Sequence, residues 1–305
     1  MKNDFICYLT RFGKLMHVRQ DTVIGGCLKL YGEWAPGETA LFKQILNAGD
    51  WVLDVGANIG FHSLFFSQHV AEQGKVLAFE PEKTNHHLLQ LNALLNNLDN
   101  VSIYNALVGK KTTVNLSWQV QTNLQNRGDS RFAVTEDNST LSNTNPLMQI
   151  ALDDLHLTRC DLIKIDVQYY EHEVFKGAMQ LLQTQRPVVF YEQDNALNYN
   201  EIKTLFEQLD YQCYWYVSKI FPKFNMNAVS DDILYNGEAE RNILAVPKEK
   251  QAQFDFLSTL LKVTGEQYNP PSLSQLGDDY AIKNTSVTEA DEHWVKVLNE
   301  FLGVT

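Results

Sequence analysis

Between Trp51 and Val246, short apolar runs alternate with stretches in which apolar residues recur every three or four positions. Runs of strand length lie at 51–55, 76–80, 101–105, 162–167 and 188–192. The helical period covers 61–70, 84–97 and 171–182, and Leu88, Leu91, Leu94, Leu95 and Leu98 mark the second of these. Strand and helix in regular alternation predict an α/β protein with a mostly parallel sheet and crossover helices. A further helix is expected near 202–209. An aromatic strand at 211–217 and the apolar run 243–246 then close the sheet as an antiparallel pair. After a strand at 113–118, the stretch 119–149 is rich in Asn, Ser, Thr and Gln and reads as a long polar insertion, either a lid or a mobile loop. Past Pro247 the pattern loosens, and Asn269-Pro270-Pro271 marks a break. Trp294, Val297, Leu298, Phe301 and Leu302 then share one face of a terminal helix over 289–302, which packs on the core or on a second copy of the chain. The organisation read from this is an N-terminal cap segment over 1–49, a main domain over 50–247 and a C-terminal helical extension over 248–305.

Composition narrows the class without changing the architecture. With 305 residues, 44% of them hydrophobic and 20% charged, the chain builds a large core and is not intrinsically disordered. A net charge of −12, spread along the chain, disfavours nucleic-acid phosphates and anionic membranes as partners. No run approaches the length of a membrane span, and Lys2, Asp4, Arg11 and Lys14 interrupt the apolar residues of the first segment, so a cytoplasmic protein is expected. Cys7, Cys27, Cys160 and Cys213 stand far apart, which fits neither a zinc site nor a disulfide framework and agrees with a reducing compartment.

Chemistry concentrates where the first strand of the alternation ends. Asp54-Val55-Gly56-Ala57-Asn58-Ile59-Gly60 is a strand running into a Gly-rich turn and then a helix, an arrangement that lets backbone approach a ligand closely. Its spacing is not the G-x-G-x-x-G of dinucleotide sites, and an acid at the strand end suits a ligand carrying an amine and a sulfonium better than a pyrophosphate. The next strand ends in Glu80-Pro81, where an acidic residue takes the ribose hydroxyls of an adenine nucleoside. Together Asp54 and Glu80 point to an adenosine-type ligand. The plainer reading is a helix cap and a surface carboxylate.

With these residues in hand, the sequence resembles the FkbM family of S-adenosylmethionine-dependent methyltransferases over roughly residues 32–247. The match rests on the order of Gly32-Glu33-Trp34 with Glu38, the 54–60 run, Phe79-Glu80-Pro81 and Asn105-Ala106-Leu107-Val108-Gly109. It continues through Ala151-Leu152-Asp153-Asp154-Leu155, Ile163-Lys164-Ile165-Asp166-Val167 with Glu171 and Gly177, and Arg241 to Pro247. The resemblance implies a Rossmann-like class I methyltransferase fold, a seven-stranded, mostly parallel sheet with helices on both faces. It also implies S-adenosylmethionine as cofactor. Asp54, Gly56, Ala57, Asn58 and Gly60 would hold the methionine end, Glu80 and Pro81 the ribose, and Asn105, Ala106 and Leu107 the adenine side. Asp166 would face the reacting centre. Where the family reads I-D-V-E-G-x-E, this chain has Ile165-Asp166-Val167-Gln168-Tyr169-Tyr170-Glu171, so a Glu has become Gln168 and a Gly has become Tyr169.

The activity implied is O-methylation of a sugar or natural-product hydroxyl, an in-line displacement in which the protein aligns the reactants and takes up a proton. Asp166 is the first candidate base, with Glu171 beside it as the second catalytic residue. His62, His172 and Glu192 are further candidates, although a lone His is more often a packing or solvent residue. Glu171-His172-Glu173 offers ligand-type side chains that point apart on a helix, so no metal is assigned. Tyr211, Tyr214, Trp215 and Tyr216 read as core before they read as a stacking surface. The partner expected is a small-molecule or saccharide acceptor, with no nucleic acid or membrane partner and with room for a homo-oligomer. The competing reading is a catalytically degenerate S-adenosylmethionine-binding protein that acts through partner contacts, and Gln168-Tyr169-Tyr170 separates the two.

Overall fold

The computed structural model describes residues 4–121, 125–126, 131–135, 147–221, 225–234, 237–265 and 267–272. The chain opens with an antiparallel hairpin of β1 (Phe5–Thr10) and β2 (Gly13–Val18), followed by α1 (Ile24–Tyr31) and α2 (Pro36–Ile45). Then comes the alternation read from the sequence: β3 (Trp51–Val55), α3 (Phe61–Val70), β4 (Lys75–Phe79), α4 (Lys83–Leu95) and β5 (Val101–Tyr104). Four strands follow, β6 (Ala106–Val108), β7 (Thr113–Gln121), β8 (Arg131–Thr135) and β9 (Leu147–Ile150). The sheet resumes with β10 (Leu162–Ile165), α5 (Glu171–Lys176), α6 (Met179–Thr184), β11 (Val188–Glu192) and α7 (Tyr199–Gln208). It closes with β12 (Tyr211–Lys219), β13 (Ala239–Pro247) and a short β14 (Leu261–Lys262).

The main sheet has the order β14-β12-β13-β11-β10-β3-β4-β5. From β11 to β5 neighbours run parallel, while β13 slots antiparallel between β11 and β12. The seven strands expected are present, and β14 adds a two-residue eighth at the edge, antiparallel to β12. Alternation along the central strands explains the core. Leu53, Val55, Ile163, Ile165, Val189 and Tyr191 face one side, where Val174, Phe175, Leu181, Leu182, Ile202 and Phe206 cover them. Val52, Leu162, Phe190 and Leu244 face the other, under Phe42 of α2 and Phe66 of α3. Tyr211, Tyr214, Trp215 and Tyr216 are all buried within these two layers, so the aromatic strand is core.

Three departures from the sequence reading have local causes. The 171–182 stretch is two helices, because backbone closes on backbone at Gly177: a Cβ there would stand 2.1 Å from the carbonyl oxygen of Gly109. The 119–149 stretch is not simply a loop. Apart from Gln125 and Asn126, its described parts belong to β7, β8 and β9, and with β6 these make a second, four-stranded sheet. Rich in Asn, Ser, Thr and Gln, the stretch reads as loop by composition alone. Residues 248–262 stay on the domain, as 3-10 turns over Lys248–Gln253 and Asp255–Thr259 that lead to β14. The terminal helix expected over 289–302 lies outside the described residues.

The N-terminal segment is fastened from within. Asn92 of α4, fully buried, donates from Nδ2 to the carbonyl oxygens of Met16 (3.0 Å) and Ile59 (2.8 Å) and accepts from the Met16 N–H (2.7 Å). Arg11 makes a bidentate pair with buried Glu33 at 2.8 and 2.7 Å, and Glu33 also accepts from the Met226 N–H at 3.0 Å. No helix among the described residues is long and apolar enough to cross a membrane.

Candidate functional site

At the carboxyl ends of β3, β10 and β11, where open α/β sheets bind ligands, lies a cavity of about 730 Å³. Its floor is the turn after β3. Gly56, Asn58 and Gly60 have φ of +81°, +51° and +95°, and the N–H groups of Gly56 and Ala57 both donate to the carbonyl oxygen of Phe79 at 3.0 Å. Gly56 admits no side chain, since a Cβ would stand 1.8 Å from the carbonyl oxygen of Asp166. Asn58 Oδ1 is buried without a hydrogen-bond partner and belongs to a cavity-lining residue.

Asp54 is fully buried beneath this turn and is not part of the cavity lining. It accepts from Ser63 Oγ at 2.6 Å, and Lys164 Nζ stands 3.4 Å from its Oδ1. The same ammonium donates to the carbonyl oxygen of Gly56 at 3.1 Å and lies 3.7 Å from Asp166 Oδ2. Although burial opposes its charge, Asp54, Asp166 and Glu38 hold the Lys164 pKa above the ordinary lysine value. Asp54 thus acts on the site through the turn it supports, with Lys164 as its counter-ion.

Glu80 is buried beside the turn, with its oxygens accepting from the N–H groups of Asn58 (2.9 Å) and Glu82 (2.8 Å). Burial pushes its pKa up to about 8. Asn105 Nδ2 donates to the carbonyl oxygens of Glu80 and Pro81 at 2.9 and 3.2 Å, while Ala106 and Leu107 are buried in β6. These residues gather on the β4–β5 side of the turn, outside the lining of the large cavity. An orphaned buried acceptor at Asn58, an enclosed carboxylate at Glu80 and a turn stripped of side chain at Gly56 fit the adenosyl cofactor that the motifs imply.

The opposite wall is acidic. Asp166 leaves the end of β10 with 45% of its side chain exposed. Gln168 Nε2 donates to Asp166 Oδ1 at 3.3 Å and to Glu192 Oε2 at 2.9 Å, so one amide bridges two carboxylates. Burial, reinforced by Asp166 and Asp194, raises the Glu192 pKa well above the ordinary carboxylate value. Glu240 at the start of β13 is raised likewise, by burial and then by Glu38 and Asp166. Asp194, at the rim, accepts from the Arg241 N–H at 3.2 Å. Beneath them Glu38 accepts from Asn242 Nδ2 at 3.0 Å and lies 3.2 Å from His62 Nε2. Burial alone would raise the Glu38 pKa, but His62 and Lys164 hold it below the usual value.

Of the candidate bases, Asp166, Glu192 and His62 meet at this cavity, whereas Glu171 and His172 are outside its lining. Glu171 is buried, with its pKa raised to about 7 by that burial, and its Oε1 has no hydrogen-bond partner. It is not among the residues that line the cavity. Gln168 and Tyr169 have φ of +51° and +76°, so Tyr169 occupies the left-handed conformation that the family's Gly takes without strain. Sequence reasoning missed Lys164, Asp194, Glu240 and Arg241. A lysine inside the apolar strand Leu162–Ile165 is itself a signal of a buried counter-ion. Asp194 follows directly on β11, while Glu240 and Arg241 reach the site only because β13 inserts beside β11, which no local pattern reveals. Among the described residues no three His, Cys, Asp or Glu side chains gather closely enough to hold a metal ion.

The family model described as the methyltransferase FkbM domain matches residues 54–213, more than half of the chain. Methyltransferase FkbM from Methylobacillus flagellatus KT is 13% identical with a TM-score of 0.41, over 65% of this chain but only 44% of that one. A SAM-dependent methyltransferase from Aquifex aeolicus is 17% identical with a TM-score of 0.39, covering 72% of this chain and 92% of that one. The O-methyltransferase from Bacillus cereus in complex with SAH is 15% identical with a TM-score of 0.40, covering 70% and 80%. No curated protein matches the chain.

Proposed function

This chain belongs to the FkbM methyltransferase family, and from that premise we propose that it O-methylates a hydroxyl of a sugar or natural-product acceptor, with Asp166 as general base. It is a methyltransferase, and its cofactor is S-adenosylmethionine. That cofactor supplies an electrophilic methyl carbon on a sulfonium. We assign its binding to Gly56, Ala57, Asn58 and Gly60 in the turn, to Glu80 and Pro81, and to Asn105, Ala106 and Leu107 beyond them. Asp54 serves by fixing the turn.

The observation that carries this reading is the position of Asp166. Its backbone abuts Gly56, where the cofactor's reactive end is assigned, while its half-exposed carboxylate opens into the cavity. A hydroxyl aligned there gives its proton to Asp166 as its oxygen forms the new bond. Gln168 holds the carboxylate in place from one side and Lys164 from the other. Glu171, outside the cavity lining, is withdrawn from the catalytic pair.

The competing reading, a degenerate binding protein, requires the Gln168-Tyr169 change to fill the acceptor space. Tyr169 is 38% exposed and lines a cavity that retains about 730 Å³, within the range of ligand pockets, which favours activity. Asp166→Asn is expected to bind S-adenosylhomocysteine with unchanged affinity by calorimetry. Transfer of labelled methyl groups to hydroxylated acceptors should fall by about 100-fold or more. Retained turnover in this variant removes Asp166 as the base.

A further inference from the structure

Part of the cavity wall is hydrocarbon. Val23 and Ile24 at the start of α1, Trp34 in the turn between α1 and α2, Ile59 and Phe61 where the β3 turn enters α3, and Ile220 directly after β12 all line it. They form one continuous surface. Ile24, Ile59, Phe61 and Trp34 pack together in one cluster, Val23, Trp34 and Ile220 in a second, and Trp34 belongs to both. Val23, Trp34 and Ile220 are only partly buried, so two hydrophobic groupings end on the cavity with some of their surface still open. A polar group set against such a wall gives up water without gaining a partner, whereas an apolar group gains by leaving water.

Tyr169 is a second and separate observation. It lines the same cavity, is exposed, and holds a φ of +76°, a backbone conformation that strains a bulky residue and that glycine takes freely. Both its neighbours are anchored. Gln168 Nε2 donates to Glu192 Oε2 at 2.9 Å, and the Tyr170 hydroxyl donates to Gln149 Oε1 at 3.2 Å. The fold thus maintains a strained residue whose ring is not spent on the core. Resting on the reading that this cavity takes the acceptor, we infer that the acceptor is amphipathic: its methylated hydroxyl lies at Asp166, while an aromatic or alkyl substituent of the same molecule packs on the wall around Trp34, with Tyr169 as a second ring that selects it. Trp34 and Tyr169 are then specificity residues and take no part in the proton transfer. A bare sugar would leave the hydrocarbon wall wet. At about 730 Å³ the cavity lies in the upper part of the range for small-molecule sites, which suits an acceptor of two parts.

The test titrates the full chain by calorimetry with glucose, methyl β-D-glucoside and phenyl β-D-glucoside, each with and without saturating S-adenosylhomocysteine. With S-adenosylhomocysteine bound, phenyl glucoside is expected to bind about tenfold or more tightly than methyl glucoside, and methyl glucoside within about threefold of glucose. Trp34→Ala and Tyr169→Gly should each weaken phenyl glucoside by about fivefold or more, leave methyl glucoside within about twofold, and leave affinity for S-adenosylhomocysteine unchanged. Tyr169→Gly carries the test if loss of the Trp34 ring unfolds the N-terminal segment, because glycine suits the backbone at 169. Equal binding of the methyl and phenyl glucosides overturns the inference. So does displacement of phenyl glucoside by S-adenosylhomocysteine, since the hydrocarbon wall then belongs to the cofactor. A phenyl preference that survives both substitutions overturns it as well, because the ring is then held elsewhere. If no glucoside binds while S-adenosylhomocysteine does, the amphipathic acceptor is rejected and the methyltransferase reading stands. Failure of S-adenosylhomocysteine itself strikes at the cofactor site and overturns both.

Discussion

At Gly56 a single hydrogen atom separates a working turn from a broken one. A Cβ there would meet backbone, which does not move aside as a side-chain tip does, and the left-handed φ adds strain of its own. Gly56→Ala is therefore expected to destabilise the fold by about 2 kcal/mol or more in urea unfolding and to abolish S-adenosylhomocysteine binding. Tyr169 presents the opposite case, a bulky residue in a backbone conformation that glycine prefers. Releasing that strain, about 1–2 kcal/mol, against the greater freedom glycine has in the unfolded chain, leaves Tyr169→Gly more stable by about 0.5–1 kcal/mol. A lower urea midpoint for Tyr169→Gly would show that the ring's contacts outweigh the strain. The sequence made the glycine at 56 legible because Gly56 and Gly60 repeat in a recognisable spacing. It hid the backbone at 169, because the residue there argues for an ordinary strand or helix.

Among the elements, β3 and β10 are joined by more than their ladder. Lys164 and Asp54 are direct register partners across these parallel strands, so a counter-ion pair sits at the centre of the sheet just below the cavity floor. Lys164→Met leaves Asp54 with only Ser63 as partner in a fully buried position, and a loss of about 3–5 kcal/mol is expected. Adding Asp54→Asn to that variant should recover a large part of the loss, because no charge is then stranded. Denaturant titration of the two variants decides it. The hairpin is tied in a similar way, and Arg11→Ala, which leaves Glu33 2% exposed with the Met226 N–H, is expected to cost about 2–4 kcal/mol. The strands and helices from 51 to 105 follow their apolar periods closely, since each packs on both faces of one sheet. The second sheet and the split at Gly177 do not, because a strand of polar composition and a backbone contact between Gly177 and Gly109 leave no trace in local hydropathy.

For the molecule as a whole, enclosed carboxylates shape how stability varies with pH, Glu80 and Glu171 acting in the same direction as Glu192 and Glu240. Glu80 and Glu171 have pKa values pushed up to about 8 and about 7, from an ordinary 4.5, mainly by burial. Between those limits the folded chain holds protons that the unfolded chain releases, so this stabilisation is complete below pH 4.5 and is lost as pH rises through 7 and 8. The urea midpoint of the cofactor-free protein should thus decline from about pH 5 to about pH 8, and Glu80→Gln should flatten the upper part of the decline. A midpoint that climbs over that range would place these side chains in contact with solvent. The proposed cofactor half of the site was legible in sequence because most of it lies in one stretch, 54–81, with Asn105 to Leu107 following at the end of the next strand. The acceptor half was not, because its wall comes from 34 to 62, 166 to 169, 192 to 194 and 237 to 241. The antiparallel insertion of β13 between β11 and β12 carries a further consequence for synthesis. The sheet cannot close on its acceptor side until residues 239–247 have left the ribosome, after the entire cofactor half has emerged. Nascent chains shorter than that lack Glu240, Arg241 and the strand that joins β11 to β12. Truncation products ending before 239 are expected to be bystanders that sequester donor without competing for acceptor.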